Sequence, residues 1–579
     1  MAAIRLAWQF DFAAPPALVW PFVADTNRMN LLAGMPPVRY ETVAGARVGV
    51  ARQAGMEQRW DEHPFTWRHA ERHEVVRTYH GGPLRAYRSS VTLTPHGEGT
   101  RLEHVVELEP RSALMAPLVS LGTHGLEAAW RKAYGAVDAC LKGVGAYPFA
   151  PSAEAPAPAA LAPFVERLVA AGRPEALAHR LATLVAEGSD LELQQLRPFA
   201  LADRWGEDRH GVLELCLEAV RVGLLEPRWS HMCPRCRGPK AGAARLAELA
   251  GEAGCEDCGV RFSGTFDRTV ELAFRPMPAV RAVEELVYCV AGPGATPHIV
   301  FQGDVPPGKL DLALDVEPGT YRLRVGDAEA YVVFLGDGEP VAGELALDAL
   351  RDLDALAGPR LALTLANPTN SPLKAVLERE AWSDQAVTAA YAGTLAAFRD
   401  ALGSEGLTTP MPVSLLAFLV LRARGTAAVY ADLGPAAAHA MIGGWLDGWK
   451  AAVAAARGTA FKGGGDTVLA AFYDPLAAAE TALAILELAA ELEPPHPALG
   501  LAIGADAGAC VALGPGVDFA GAPVERALAA SGYARPGELV LGEALAGELG
   551  VQLLLGASER WSTGLPEQDE EGLAYVRAT

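Results

Sequence analysis

The sequence predicts a multidomain α+β chain, and three observations carry that prediction. At 579 residues it is too long for one core, so about three to five domains of roughly 100–200 residues each are expected. Segments with two-residue apolar alternation give way several times to segments with 3.6-residue spacing, so strand-rich and helix-rich units follow one another. A Pro/Ala-rich stretch and two Cys-x-x-Cys pairs punctuate the order.

Half of the residues are hydrophobic and 21% are charged, a globular composition. The formal net charge of −21 argues against a nucleic-acid partner, whose affinity rests on Lys and Arg meeting phosphates. The N-terminal MAAIRLAWQFDFAAPP lacks a charged region followed by an apolar one, so no secretory signal is expected. The longest apolar run, around Leu415–Leu421, is far short of the ~20 residues of a membrane span. Four of the eight cysteines, Cys140, Cys216, Cys289 and Cys510, stand singly, which suits reduced thiols in a cytosol. A soluble, cytoplasmic protein is expected.

Residues 1–147 open with the strand-like IRLAWQFDF and a short helix behind Pro15 and Pro16, followed by alternating segments with Gly/Pro turns. A long helical stretch, Ser112 to Leu141, closes the unit. This order resembles the START-like helix-grip fold of polyketide-cyclase and lipid-transfer relatives. The resemblance implies a sheet wrapped around the long helix and an apolar cavity for a hydrophobic small molecule. Trp20, Trp60, Phe65 and Trp67 either line that cavity or fill an ordinary core. No paired acid and base stands out, so no catalysis is expected there.

Residues 148–160, PFAPSAEAPAPAA, read as a stiff Pro/Ala linker. Residues 161–230 read as several short helices ending in GLLEPRWSH, which resembles a winged-helix module. The acidic balance favours a structural or protein-contact role for it. Within 231–262, Cys233-Pro-Arg-Cys236 and Cys255-Glu-Asp-Cys258 are separated by eighteen residues. Four thiolates from two tight turns match a structural zinc ribbon, with no position left open for catalysis. A four-cysteine iron site and a redox-active dithiol pair are the alternatives. His231 is surplus to that set.

Residues 263–380 read as short alternating strands with Pro-Gly and Asp-Gly turns, a β-sandwich pattern. Gly292-Pro-Gly294 lacks the Gly-Lys-Ser/Thr ending of a phosphate loop. Residues 381–409 are expected to form one connecting helix of about 20 residues.

From 410 to 579 strand and helix alternate, with hairpins expected at GTAFKGGGDTVLAAFYD and at ALGLAIGADAGACVALG. Residues 416–430, LAFLVLRARGTAAVY, resemble the opening strand and turn of a class III nucleotide cyclase domain, with Gly425 and Thr426 in the turn and Tyr430 in the helix. KGGGD (462–466), DFAGAPV (518–524) and RPGE (535–538) resemble three further segments of that family. The resemblance implies a ferredoxin-like core. It also implies two metal aspartates, of which Asp466 matches the second while Arg422 stands at the first. Lys462 and Asp518 match the adenine-reading pair, and the transition-state asparagine and arginine positions fall on Glu525 and Ala529. Mg²⁺ demands oxygen donors in tight octahedral geometry, so a guanidinium cannot replace the aspartate and Mg²⁺ is not expected. Asp466 also serves as a turn-former, and Arg422 can pair with it.

The order of units resembles a group of bacterial proteins in which START-like, zinc-ribbon and β-sandwich regions precede a class III cyclase domain. That likeness is strongest in RPFALADRWGEDRHGVLELCLEAVRVGLLEPRWSHMCPRC and LTLANPTNSPLKAVLERE. It implies a catalytically inactive cyclase homologue with a regulatory, ligand-sensing or scaffolding role in signalling, paired with itself or with another cyclase-like chain. An adenylate cyclase making cyclic AMP, alone or with an active partner, is the alternative. A hydrophobic-ligand-binding protein acting through its START-like domain is the third reading.

Overall fold

The computed structural model describes all residues except 1–2, 44–45, 54–55, 145–155, 236, 250, 256–259, 284–291, 327, 381–384, 559–560, 562–563, 565–566, 569–573 and 579. The N-terminal unit runs β1 (Ile4–Phe12), α1 (Pro16–Val23), α2 (Thr26–Leu32), β2 (Arg39–Val43), β3 (Ala46–Gln53), β4 (Met56–Glu62), β5 (Thr66–Arg68), β6 (Arg72–Tyr79), β7 (Leu84–His96), β8 (Gly99–Pro110), α3 (Ala116–Gly122) and α4 (Leu126–Leu141). Its antiparallel strand order is β1-β8-β7-β6-β5, and β8 buries every second residue from Thr100 onward, the alternation of a strand with one face on a core. α4 buries Trp130, Ala133, Tyr134, Val137 and Asp138, a one-sided stripe laid on that sheet. The expected single helix from Ser112 to Leu141 is instead two helices. α3 ends at Gly122 with Thr123 as its C-cap, and Gly125, at φ 85°, takes the left-handed conformation that precedes α4.

A helical unit follows with α5 (Pro158–Ala170), α6 (Glu175–Glu187), α7 (Asp190–Leu193), α8 (Pro198–Trp205) and α9 (Arg209–Arg221). Helix α5 starts inside the stretch expected to be linker, using Pro158 in its first turn, where a missing N–H costs nothing. Next come β9 (Leu225–Met232), β10 (Pro239–Ala243), β11 (Glu252–Cys255), β12 (Val260–Ser263) and β13 (Val270–Pro276). β13 pairs with β9 from Val270↔His231 to Pro276↔Leu225. The cysteine-bearing segment is therefore an excursion from one antiparallel ladder. Residues 270–276, expected to belong to the sandwich, are part of the helical unit.

The β-rich unit comprises β14 (Ile299–Val305), β15 (Gly308–Leu314), β16 (Gly319–Val325), β17 (Ala328–Phe334), β18 (Gly343–Ala346), β19 (Leu353–Leu356), β20 (Leu361–Asn367) and β21 (Leu373–Arg379). Sheets β14-β21-β16-β17-β19 and β15-β20-β18 enclose one core that includes Leu314, Tyr321, Leu323, Phe334, Leu363 and Leu377. Its first sheet does not end at β14. Phe301 and Gln302 of β14 pair with Arg68 and Trp67 of β5, so one sheet runs on from the N-terminal unit. Trp67 Nε1 donates to the Ile299 carbonyl at 2.9 Å, and Gln302 Nε2 to the Phe65 carbonyl at 2.8 Å.

The expected connecting helix is replaced by β22 (Val387–Thr388), α10 (Ala389–Gly393) and α11 (Ala396–Leu402). Thr388 caps α10 by accepting from the Tyr391 amide, and the extended Leu395 separates the two helices.

The last unit runs β23 (Gly406–Arg424), α12 (Thr426–Ala455), β24 (Thr459–Gly464), β25 (Thr467–Phe472), α13 (Pro475–Glu491), β26 (Gly500–Pro515), β27 (Asp518–Ala520), α14 (Ala522–Tyr533), β28 (Leu539–Gly542), α15 (Glu543–Ala546), α16 (Leu549–Ala557), β29 (Glu567–Gln568) and β30 (Ala574–Ala578). Its sheet order is β24-β25-β23-β26-β28-β30-β29, with β27 on β26. α12 is kinked at Gly434-Pro435. On β23, Ala417, Leu419 and Leu421 share a core with α12 and α13, while Leu416, Phe418 and Val420 share one with the helical unit. Burial on both faces explains the unbroken apolar run. The hairpin expected at 498–514 is one long strand, β26. Gly504 is there for packing: a Cβ would fall 2.1 Å from the Ser531 nitrogen and 2.4 Å from the Ala527 carbonyl of α14. No helix among the described residues is long and apolar enough to cross a membrane.

Candidate functional site

The register of β23 and β25 sets Arg422 opposite Thr467, with Asp466 just before it. The Ala423 amide donates to the Asp466 carbonyl at 2.8 Å, so positions 422 and 466 sit side by side at one end of the sheet. The Asp466 carboxylate accepts from the Thr467 hydroxyl at 2.8 Å. Arg422 points to the α14 face, where a Cβ on Gly532 would lie 4.0 Å from its Nη1, and its buried Nε has no hydrogen-bond partner. Among the described residues no ion pair joins Arg422 to Asp466, contrary to the pairing considered above.

The neighbouring Arg424 donates to the Ser531, Gly532 and Ala534 carbonyls at 2.7, 2.7 and 2.9 Å. It satisfies the orphan carbonyls at the C-terminal end of α14, where a cation also complements the helix dipole. Glu525 is exposed in the first turn of α14, where the same dipole favours an anion, and Ala529 is half-buried one turn on.

Asp518 starts β27 opposite Leu513, and its carboxylate accepts from the Phe519 amide at 2.8 Å. Arg399 of α11 holds the preceding loop, donating to the Gly516 and Val517 carbonyls at 2.8 and 2.7 Å. Its guanidinium lies 5.8 Å from the Phe461 ring, which meets Phe519 edge-on at 5.7 Å. Burial depresses the Arg399 pKa, and the nearby Asp518 charge works against that. The backbone of Lys462 pairs with Leu469, while its side chain lies outside the described residues.

A carboxylate overlooked in the sequence reading is Asp506, fully buried on β26. It accepts hydrogen bonds from Arg526 of α14 and, at 3.4 Å, from the Leu545 amide. Its one signal is a lone acid inside the apolar run LAIGADAGACV. Asp506 pairs with Phe418, four residues down β23 from Arg422, or about 13 Å along the strand. It is not a second ligand beside Asp466. Among the described residues no group of three or more His, Cys, Asp or Glu side chains is placed to hold a metal ion.

Of the four cysteines expected to form a zinc ribbon, Cys236 and Cys258 lie outside the described residues. Cys233 and Cys255 are buried, each next to the turn of a hairpin, β9–β10 and β11–β12. The Arg235 amide donates to Cys233 Sγ at 3.4 Å, and the Arg237 amide to the Cys233 carbonyl at 2.7 Å. An amide aimed at the sulfur favours its thiolate form. Arg237 bonds the Arg379 and Glu380 carbonyls at 2.7 and 3.1 Å, tying that turn to the β-rich unit.

In the N-terminal unit a cavity of about 40 Å³ lies between the sheet and α4. Phe65 lines it, whereas Trp20, Trp60 and Trp67 are buried elsewhere. Trp60 bonds Glu62 beneath the Arg77 guanidinium, and Trp67 forms the joint with β14. The polar residues lining the cavity, His73, Ser89, His104 and Tyr134, were not read from the sequence.

Residues 4–142 match a family model described as polyketide cyclase/dehydrase and lipid transport. Residues 163–286 match a family of unknown function, DUF5939, a span that begins within α5 and includes the rest of the helical unit with its β9–β13 ladder. No curated protein matches the chain. Among solved structures the chain is similar to the monomeric guanylyl cyclase domain of the RhoGC fusion protein from the aquatic fungus Blastocladiella emersonii, with 14% identity and a TM-score of 0.26 over 30% of this chain and 98% of that one. The adenylyl cyclase CyaB from P. aeruginosa shows 15% identity and a TM-score of 0.25 over 30% and 96%. The guanylate cyclase domain of RhGC from Catenaria anguillulae in complex with GTP shows 14% identity and a TM-score of 0.24 over 29% and 96%.

Proposed function

We propose that this chain is a regulatory protein whose C-terminal cyclase-homology domain no longer cyclises nucleoside triphosphates. One observation carries the reading: Arg422 occupies the strand position beside Asp466 where a two-metal site needs its other carboxylate. Mg²⁺ bound there would lose an oxygen ligand and face a fixed positive charge. Glu525 and Ala529 stand where the class III resemblance puts a transition-state asparagine and arginine. Losing one such donor typically costs about 10²–10³ in rate, so losing both together with a metal ligand leaves no measurable turnover.

The face of β23 carrying Leu416, Phe418 and Val420 is filled by the chain's own helical unit and α11. Pairing with a second copy, or with another cyclase-like chain, therefore uses the remaining surface of the domain. The Cys233, Cys236, Cys255 and Cys258 thiolates hold a structural Zn²⁺ that staples the excursion between β9 and β13. The hydrogen bond from the Arg235 amide to Cys233 supports that assignment.

The test is to incubate the full chain with ATP or GTP and Mg²⁺ or Mn²⁺, and to look for a cyclic nucleotide. None is expected from the natural sequence. Product from it would establish the alternative, a working cyclase. The combined change Arg422→Asp, Glu525→Asn and Ala529→Arg asks whether the chemistry can be rebuilt.

A further inference from the structure

Across the N-terminal sheet one row of side chains runs from β5 to β1. Trp67 pairs with His73, His73 with Val91, Val91 with His104, and His104 with Trp8. His73 is 6% exposed and His104 1%. The His104 ring lies between Trp8 and Trp130, at 4.6 and 4.8 Å. Its Nε2 is 2.9 Å from the Ser89 hydroxyl and its Nδ1 2.9 Å from the Tyr134 hydroxyl. Neither ring nitrogen of His73 makes a hydrogen bond, although the Val23 carbonyl lies beside the ring. All four polar groups line the 40 Å³ cavity, with Thr26 and Asn30 on its α2 side.

Counting protons shows what the cavity offers. A neutral imidazole has one N–H, so Ser89, His104 and Tyr134 together hold three polar hydrogens and make two hydrogen bonds among themselves. If His104 donates to Ser89, Tyr134 donates to His104 and the Ser89 hydrogen is uncommitted. If His104 donates to Tyr134, the Tyr134 hydrogen is the uncommitted one. Either tautomer leaves one hydroxyl donor, and neutral His73, with its N–H turned to the Val23 carbonyl, adds an acceptor. Leaving such buried groups unmet is costly, so the arrangement calls for a partner.

We propose that this cavity binds a small uncharged organic molecule with an adjacent hydrogen-bond acceptor and donor, of the carboxamide or hydroxycarbonyl class. The one charged side chain lining it, Arg77, is held by Glu62 at 3.0 and 3.3 Å, and its guanidinium lies over the Trp60 and Tyr87 rings. An anion in the cavity would therefore lack a counter-charge, which desolvation penalises heavily. Since a water-sized group needs about 10–15 Å³, the cavity takes roughly three such groups, too few for an acyl chain. Burial holds His73 and His104 well below the ordinary histidine range, so both stay neutral and serve recognition rather than general-base chemistry. The inference does not depend on whether the C-terminal domain turns over nucleotide.

Isothermal titration of the full chain tests it, with acetamide and propionamide as neutral probes, acetate as a charged analogue and decanoate as a lipid-like one. The amides should bind saturably, acetate at least tenfold more weakly, and decanoate not at all. His73→Phe keeps a ring in the slot and should weaken amide binding at least tenfold. If that variant fails to fold, the pair Ser89→Ala and Tyr134→Phe removes the relay hydroxyls and should have the same effect. Absence of amide binding (water alone filling the site), equal binding by a folded variant, or preferential decanoate binding would each overturn the proposal.

Discussion

Acidification offers a quantitative test of the N-terminal core. Burial depresses the His73 pKa from 6.5 to about 4 and the His104 pKa from 6.5 to about 3. Between the unfolded and folded values only the unfolded chain takes up a proton on these rings. The stability they confer is complete above 6.5 and is lost as pH falls toward 4. At pH 5.0 an unfolded imidazole is almost fully charged while the buried one is neutral, which costs about 2 kcal/mol per histidine relative to pH 7.5. The figure is insensitive to the folded value, provided that value lies well under 5. Two histidines in one cluster therefore remove about 4 kcal/mol, a large share of a domain's usual ~5–15 kcal/mol. A chain of several units does not unfold in one step, so the readout is native-state hydrogen exchange of β7 and β8 peptides, corrected for intrinsic pH dependence. The variant His73→Gln/His104→Gln starts less stable but should show a pH dependence about 4 kcal/mol shallower between 7.5 and 5.0. Equal pH dependence in the two proteins would refute the reasoning.

Three further outcomes are expected. Arg399→Ala removes two charge-assisted hydrogen bonds to the 516–517 carbonyls. It should raise exchange in residues 514–520 by an amount equivalent to about 2 kcal/mol, and Arg399→Lys should recover part of it. Gly504→Ala drives a Cβ into α14 and should lower the midpoint of thermal unfolding of the last unit by the equivalent of about 1–3 kcal/mol. The contrasting Gly443→Ala, in open space on α12, should raise it by about 0.5–1 kcal/mol. Cys255→Ser should abolish stoichiometric zinc on elemental analysis and make residues 231–263 protease-sensitive; unchanged resistance without metal would count against the staple.

Features written in short-range spacing were legible without a structure. The pleat of β8 and the buried stripe of α4 follow from periodicities of two and 3.6, because a side chain's face is set by its position along its own element. At the candidate site Arg422 is one letter in a strand, and the register with β25 sets it beside Asp466. Glycine was the ambiguous letter. Gly504 in a strand reads like a turn, and only the helix lying 2.1 Å from its missing Cβ explains it.

What the sequence determined by itself, then, was the face that a regular element buries and the identity of the side chain at position 422. Tertiary structure decided the partnerships. Backbone amides and carbonyls are the same in every strand, so nothing local in TWR and IVFQGDV tells that β5 and β14, more than two hundred residues apart, complete one sheet. Likewise the letters for His73 and His104 do not say whether the rings meet water. Pairing three strands beneath α4 drives them into one dry row, and that burial, not their identity, makes them a neutral recognition site.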